Sequence, residues 1–285
     1  MERFDVVANG LTFSAMAEGP ADGRPVVFLH GFPQTSWSWH RQIDAAAADG
    51  YRAFAFDQRG YSSGARPPHV EDYRIDALVA DVLAVADTQG MDRFDLVGHD
   101  WGAMVAWVLA ARHPERIRTL TAVSVPHPAA FGAALGGGDP DQAERSSYIG
   151  VFRQEGVAER ALLGEDESGD GLRAMFVASG LAADAAEIGV FVAAMLEPGA
   201  LTAALNWYRA MSADAVGDVG KISVPTLYVW STQDIALGRQ AAEATAQWVS
   251  GPYRFEILEG VSHWIPEAAP QDLNRLLLEH LGSSQ

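Results

Sequence analysis

Short β-branched and aromatic runs alternate with longer alanine-rich stretches along most of this 285-residue chain, and that rhythm leaves few folds open. Residues 26–29, 51–56, 94–97, 120–125 and 226–230 read as buried strands. Residues 75–87, apolar at 75, 78, 79, 82 and 83, and residues 103–112 carry helical spacing. Strands alternating with helices of this length imply βαβ units, hence an α/β protein with a mostly parallel sheet and helices on both faces. At the N-terminus, runs 4–7 and 11–17 are joined through Asn9-Gly10, which predicts an antiparallel hairpin ahead of the parallel strands.

The rhythm breaks after Val125. Pro126-His127-Pro128, Gly136-Gly137-Gly138-Asp139-Pro140 and the loop 164–171 punctuate a region of helical stretches with no convincing strand before Val224. Residues 129–218 are therefore expected to form a helical insert after the sixth strand, with 1–128 and 219–285 making the core. A segment of that length, with aromatics throughout, is too long for a structureless loop.

Charge and composition exclude several functions. Lys plus Arg is 20 against 37 Asp plus Glu, a formal charge of −17, which repels phosphate backbones and anionic lipid surfaces. No nucleic-acid or membrane partner is expected. The chain has no cysteine, so disulfides, thiolate zinc sites and a cysteine nucleophile are all excluded. The start Met-Glu-Arg-Phe-Asp lacks the basic-then-apolar layout of a signal peptide, and no apolar run reaches the ~18 residues of a membrane span, so a cytoplasmic protein is expected.

The most informative stretch is Leu96-Val97-Gly98-His99-Asp100-Trp101-Gly102-Ala103, where a strand runs into Gly98 and a helix leaves near Gly102. Asp100 has glycine at minus two and plus two, the spacing of a nucleophile elbow, whose strained turn tolerates no bulk at those neighbours. Serine is the usual occupant. Taken alone, the same residues also fit an aspartate capping a helix. Upstream, His30-Gly31-Phe32-Pro33 follows a strand and can aim the Phe32 amide at the elbow, with the Trp101 amide as second donor of an oxyanion hole. Downstream, Asp234 follows the strand 226–230 and His263 follows the next apolar run. Asp100, Asp234 and His263 thus fall in the order nucleophile, acid, histidine, each after a predicted strand. The rival acids Asp139 and Asp141 sit in a glycine- and proline-rich turn that accounts for them without catalysis. The remaining histidines have no metal-ligand spacing, and no phosphate-binding loop is present.

Gly98-His99-Asp100-Trp101-Gly102, with His30-Gly31-Phe32-Pro33 and Phe56-Asp57-Gln58-Arg59-Gly60-Tyr61-Ser62, resembles the aspartate-nucleophile branch of the α/β-hydrolase superfamily, which includes epoxide hydrolases and haloalkane dehalogenases. Within the insert, the segment around Tyr148 (Ser147-Tyr148-Ile149-Gly150-Val151-Phe152) and the segment Asn206-Trp207-Tyr208-Arg209 are similar to those bearing the two ring-opening tyrosines of epoxide hydrolases. The match departs at residues 153–155, where soluble mammalian-type enzymes carry Gln-x-Pro. The resemblance implies an α/β-hydrolase fold whose insert is a cap, and an epoxide hydrolase that makes a vicinal diol through an ester on Asp100. Asp234 and His263 complete the triad, Tyr148 and Tyr208 are the acids, and Phe32 and Trp101 supply the oxyanion hole. Phe32, Trp101, Trp207 and Trp264 are expected to contact a small apolar epoxide. No metal or cofactor is implied, and a monomer or homodimer is expected. The alternatives are a haloalkane dehalogenase with Trp101 and Trp207 as halide donors, or a homologue that binds without turnover. A serine esterase is disfavoured by aspartate at 100. Tyr148 and Tyr208 also fit ordinary core aromatics with a wet hydroxyl.

Overall fold

The structure is a computed structural model that describes residues 1–211 and 219–283. Its sheet has eight strands: β1 (Glu2–Ala8), β2 (Leu11–Glu18), β3 (Pro25–Leu29), β4 (Arg52–Phe56), β5 (Phe94–His99), β6 (Ile117–Val123), β7 (Thr226–Gln233) and β8 (Tyr253–Ser262). They are ordered β1-β2-β4-β3-β5-β6-β7-β8. β1 and β2 form the expected hairpin, with Ala8 opposite Leu11 and positive φ at both Asn9 and Gly10. β2 joins β4 antiparallel, and every later pairing is parallel.

Period-two alternation places apolar side chains on both faces of the parallel strands. Val26, Phe28, Ala53, Ala55, Val97, Val123, Leu227 and Val229 pack on one side with Trp39 and with Ile43 of α1 (His40–Ala48), Leu273 and Leu277 of the C-terminal helix Pro270–Gly282. Val27, Leu29, Phe54, Phe56, Leu96, Leu120 and Tyr228 face the other way, onto α2 (Ile75–Thr88) and α3 (Trp101–Arg112). β8 begins at Tyr253, ahead of the apolar run seen in the sequence, because as an edge strand it is only half-buried along most of its length.

Among the described residues between β6 and β7 the secondary structure is helical: α4 (Pro128–Ala133), α5 (Pro140–Arg145), α6 (Tyr148–Phe152), α7 (Val157–Leu163), α8 (Asp170–Ala178), α9 (Ala186–Met195) and α10 (Ala200–Ala210). Residues 212–218, the expected end of the insert, lie outside the described residues. His127 ties the two connections together. Its Nδ1 accepts from the Ala129 amide, capping α4, and its Nε2 lies 3.2 Å from the Gly220 carbonyl. Among the described residues, no single helix is long and apolar enough to cross a membrane.

Backbone packs closely where β3, β5 and α3 cross. A Cβ on Gly98 would stand 2.3 Å from the Gly102 carbonyl oxygen, and one on Gly102 would stand 2.1 Å from that of Leu29. Both opposing atoms are backbone, so relief requires strand and helix to move apart. Gly102→Ala should therefore cost about 1–3 kcal/mol or more, read as a lowered urea midpoint at unchanged slope.

Candidate active site

Four loops at the carboxyl ends of the parallel strands converge on one cavity: 30–34 after β3, Asp100 after β5, Ser124 and its neighbours after β6, and 234–238 after β7, with His263 following β8. This is the edge at which open α/β sheets bind ligands. Asp100 occupies φ 51, ψ −123, a conformation costly for a residue with a side chain. The turn throws its carboxylate clear of both strand and helix. A Cβ on Gly31 would lie 2.5 Å from Asp100 Oδ1, so the absent side chain there is what lets the neighbouring loop approach.

Through that approach, the Phe32 amide donates to Asp100 Oδ1 at 2.8 Å. The Phe32–Pro33 bond is cis. Trp101 opens α3, and its amide is one of the first-turn donors that helix geometry leaves without an intrahelical acceptor. Asp100 Oδ2 lies 3.6 Å from His263 Nε2, and on the far side of the ring His263 Nδ1 lies 2.8 Å from Asp234 Oδ2. Asp234 Oδ1 accepts from the amides of Ala236 and Leu237, at 2.8 and 3.0 Å. Asp139 instead caps α5 by accepting from the Asp141 amide, and Asp141 pairs with Arg145.

All three titratable groups are buried and electrically coupled. Burial is the largest influence on each and opposes its charge. For His263 the opposition is overcome by Asp234 and Asp100, which raise it from 6.5 to about 10. Asp100 and Asp234 are both held below the usual carboxylate range despite burial, chiefly by His263. Near neutral pH the resting site is an imidazolium between two carboxylates.

Two phenols of the helical insertion reach this cavity. Tyr148 of α6 and Tyr208 of α10 line it together with Asp100, their rings 6.2 Å apart. Burial, then the charge of Asp100, raises the Tyr148 phenol. Burial, then Tyr148 and Asp100, raises the Tyr208 phenol well above its ordinary value, so both stay protonated. Two lobes meet at Asp100, Tyr148, Tyr208 and Ala236. One, of about 260 Å³, is lined by Phe32, Phe152, Leu162, Met175 and Trp264. The other is a narrow lobe of about 40 Å³ against Met104, Val125 and Phe131.

Phe32 and Trp264 line the large lobe and Trp101 the small one. Trp207 departs from expectation. It lines neither lobe, is 1% exposed and donates its indole N–H to the Arg59 carbonyl at 2.9 Å. It backs Trp101 edge-on at 5.6 Å instead of facing a ligand.

Several polar residues at the site carry no motif of their own. Ser124, at φ 73, donates its hydroxyl to Asp234 Oδ2 and stands 2.9 Å from His263 Nδ1. Gln142 of α5 donates to the Ala236 carbonyl at 2.8 Å and accepts from the Gly238 amide at 2.7 Å, while Arg145 donates to the Asp234 carbonyl. Gln34, His99 and Glu267 form a buried chain behind the triad. Adjacency to the motifs was the only signal in the sequence for Gln34, His99 and Glu267, and Ser124 and Gln142 had none.

Residues 24–270 match the family model described as the alpha/beta hydrolase fold. The chain is 34% identical to the AB hydrolase superfamily protein YfhM of Bacillus subtilis, over 97% of this chain and 96% of that one. It is 33% identical to epoxide hydrolase A of Mycobacterium tuberculosis, with the same coverage. Among solved structures, epoxide hydrolase A from Mycobacterium thermoresistibile superimposes with a TM-score of 0.84 at 30% identity, covering 99% of this chain and 98% of that one. The epoxide hydrolase of Bacillus megaterium, solved with an inhibitor, gives 0.87 at 27% identity, covering 98% and 100%. The chain belongs to the α/β-hydrolase fold family.

Proposed function

We propose that this hydrolase opens small apolar epoxides to vicinal diols through an ester on Asp100, with the helices between β6 and β7 acting as a cap. The observation that carries the reading is one cavity shared by a carboxylate at the elbow and two phenols facing it from the insertion. A serine there would serve acyl transfer. A carboxylate attacks saturated carbon instead, and the resulting ester is hydrolysed at its own acyl carbon. The names of the relatives agree with this chemistry.

In the first step Asp100 Oδ2, the oxygen not held by the Phe32 amide, attacks one ring carbon. The C–O bond on that carbon breaks, and the alkoxide takes a proton from Tyr148 or Tyr208. Esterification removes the charge of Asp100 from His263, which no longer has a second carboxylate to support its proton. The proton it gives up balances the one taken from the phenol. Neutral His263, oriented by Asp234 and Ser124, then takes a proton from water as the hydroxide adds to the Asp100 acyl carbon. The Phe32 and Trp101 amides stabilise the oxyanion, each donor worth about 3 kcal/mol in comparable sites. On collapse the alkyl oxygen leaves with the proton of the added hydroxyl, restoring carboxylate and imidazolium. These steps use only protein groups and water.

Haloalkane dehalogenation loses one of its expected donors, because the Trp207 indole N–H is spent on Arg59. The dominantly apolar large lobe suits alkyl or aryl substituents.

Asp100→Ala should abolish turnover, and His263→Gln should accumulate the alkyl-enzyme, visible as an added substrate mass by intact mass spectrometry. In labelled water a single turnover should place unlabelled enzyme oxygen in the diol; direct incorporation from solvent would refute the covalent route. Replacing Tyr148 and Tyr208 together by phenylalanine should slow ester formation by about 10²–10⁴-fold in rapid-quench experiments, leaving the Phe32 and His263 contacts intact.

A further inference from the structure

Behind the triad, three buried side chains join the loops that carry its parts. Glu267 Oε1 lies 2.6 Å from Gln34 Nε2. Gln34 Oε1 lies 2.9 Å from His99 Nδ1 and 3.3 Å from the Gly31 amide. His99 Nε2 lies 2.9 Å from the backbone carbonyl of His263. Gln34 and His99 are fully buried, and among the described residues Glu267 Oε2 has no hydrogen-bond partner. The chain thus spans the oxyanion loop at Gly31, the residue before Asp100, and the residue His263 itself.

Counting protons along it exposes a deficit. If Glu267 is ionised and His99 neutral, the Gln34 amide must donate to Glu267 and its oxygen must accept from His99 Nδ1–H. His99 Nε2 then turns a lone pair toward the carbonyl of His263, acceptor against acceptor. One more proton removes the conflict. It can sit on His99, making an imidazolium, or on Glu267 with the Gln34 amide reversed. In the second case Glu267 donates to Gln34, Gln34 donates to His99 Nδ1, and His99 Nε2–H donates to His263, with only the long Gly31 contact given up. Two observations favour Glu267. Its unpartnered Oε2 is tolerable on a neutral acid and costly on a carboxylate. Burial also raises its carboxyl from 4.5 to about 8, whereas burial and neighbouring His263 lower His99 to about 4.

We infer that Glu267 is a neutral-acid positioning residue whose proton, relayed through Gln34 and His99, holds the nucleophile elbow in register with the His263 loop. The other charged groups around it are Glu187 of α9, paired with Arg41 of α1 at 2.5 Å, and His263 on its own loop. Burial and Glu187 disfavour ionisation of Glu267, the Gln34 hydrogen bond, its own backbone amide and His263 favour it, and burial is the largest of these. Loss of the proton sets acceptor against acceptor between elbow and base, so the competent geometry persists only while Glu267 is protonated.

The kinetic consequence rests on the epoxide-opening reading, whereas the proton itself does not. Wild-type turnover of an aryl epoxide should fall about tenfold from pH 7 to pH 9, following a single ionisation near 8. E267Q donates an N–H in place of the acid O–H and has nothing to ionise, so its fall over the same range should be under twofold. An equal fall in both proteins overturns the proposal. Infrared spectra of the substrate-free wild type with ¹³C-labelled glutamate supply a readout independent of turnover and of variant folding. A protonated glutamic-acid carbonyl band should be present at pH 6 and lost by pH 9. Its absence at pH 6 refutes the proposal even if epoxide turnover is confirmed, and its presence stands even if the substrate proves to be something else.

Discussion

Everything at the site depends on how closely three stretches of backbone approach one another around Asp100. The end of β3, the turn after β5 and the first residues of α3 meet at separations that leave no room for a Cβ on Gly31, Gly98 or Gly102. That closeness fixes the direction of the Asp100 carboxylate and puts the Phe32 amide on one of its oxygens. It also accounts for the positive φ at Asp100, since no relaxed conformation turns the chain within the space available. The strain is held by the sheet behind it, where both faces are sealed by apolar side chains.

Placing three ionisable groups in that dry setting couples them. His263 holds its proton because carboxylates lie on both sides, and each carboxylate stays ionised because His263 is charged. The basicity of the histidine is therefore a property of the trio. In the proposed reaction, neutralising Asp100 as an ester would remove one of the two charges that support the His263 proton, so the first step would prepare the base for the second. Ser124 and the amides of Ala236 and Leu237 hold Asp234 in its orientation toward His263.

The sheet was legible from the sequence because its information is local. Short β-branched and aromatic runs, the Asn9-Gly10 turn and the glycines flanking Asp100 each declare themselves within a few residues. Asp234 and His263 were legible by their order and by the strands before them. β8 was seen only in part, since an edge strand half-buried along most of its length carries a weak apolar signal. Gln34, from the loop after β3, His99, at the end of β5, and Glu267, in the short helix Ile265–Ala268, come together from distant stretches of chain, and nothing in their own neighbourhoods marks the contact. Trp207 was misread because the fate of an indole N–H depends on which carbonyl lies opposite, and that carbonyl belongs to Arg59, far along the chain.

Gln142 and Arg145 belong by sequence to the insertion, yet their hydrogen bonds grip residues 234–238 of the core. The stretch through α5 is thus mechanically part of the frame that holds Asp234. Chimeras that exchange insertions at the sequence boundary near residue 129 carry away the clasp on the acid, whereas a junction beyond Ser146 leaves it in place and still exchanges both phenols.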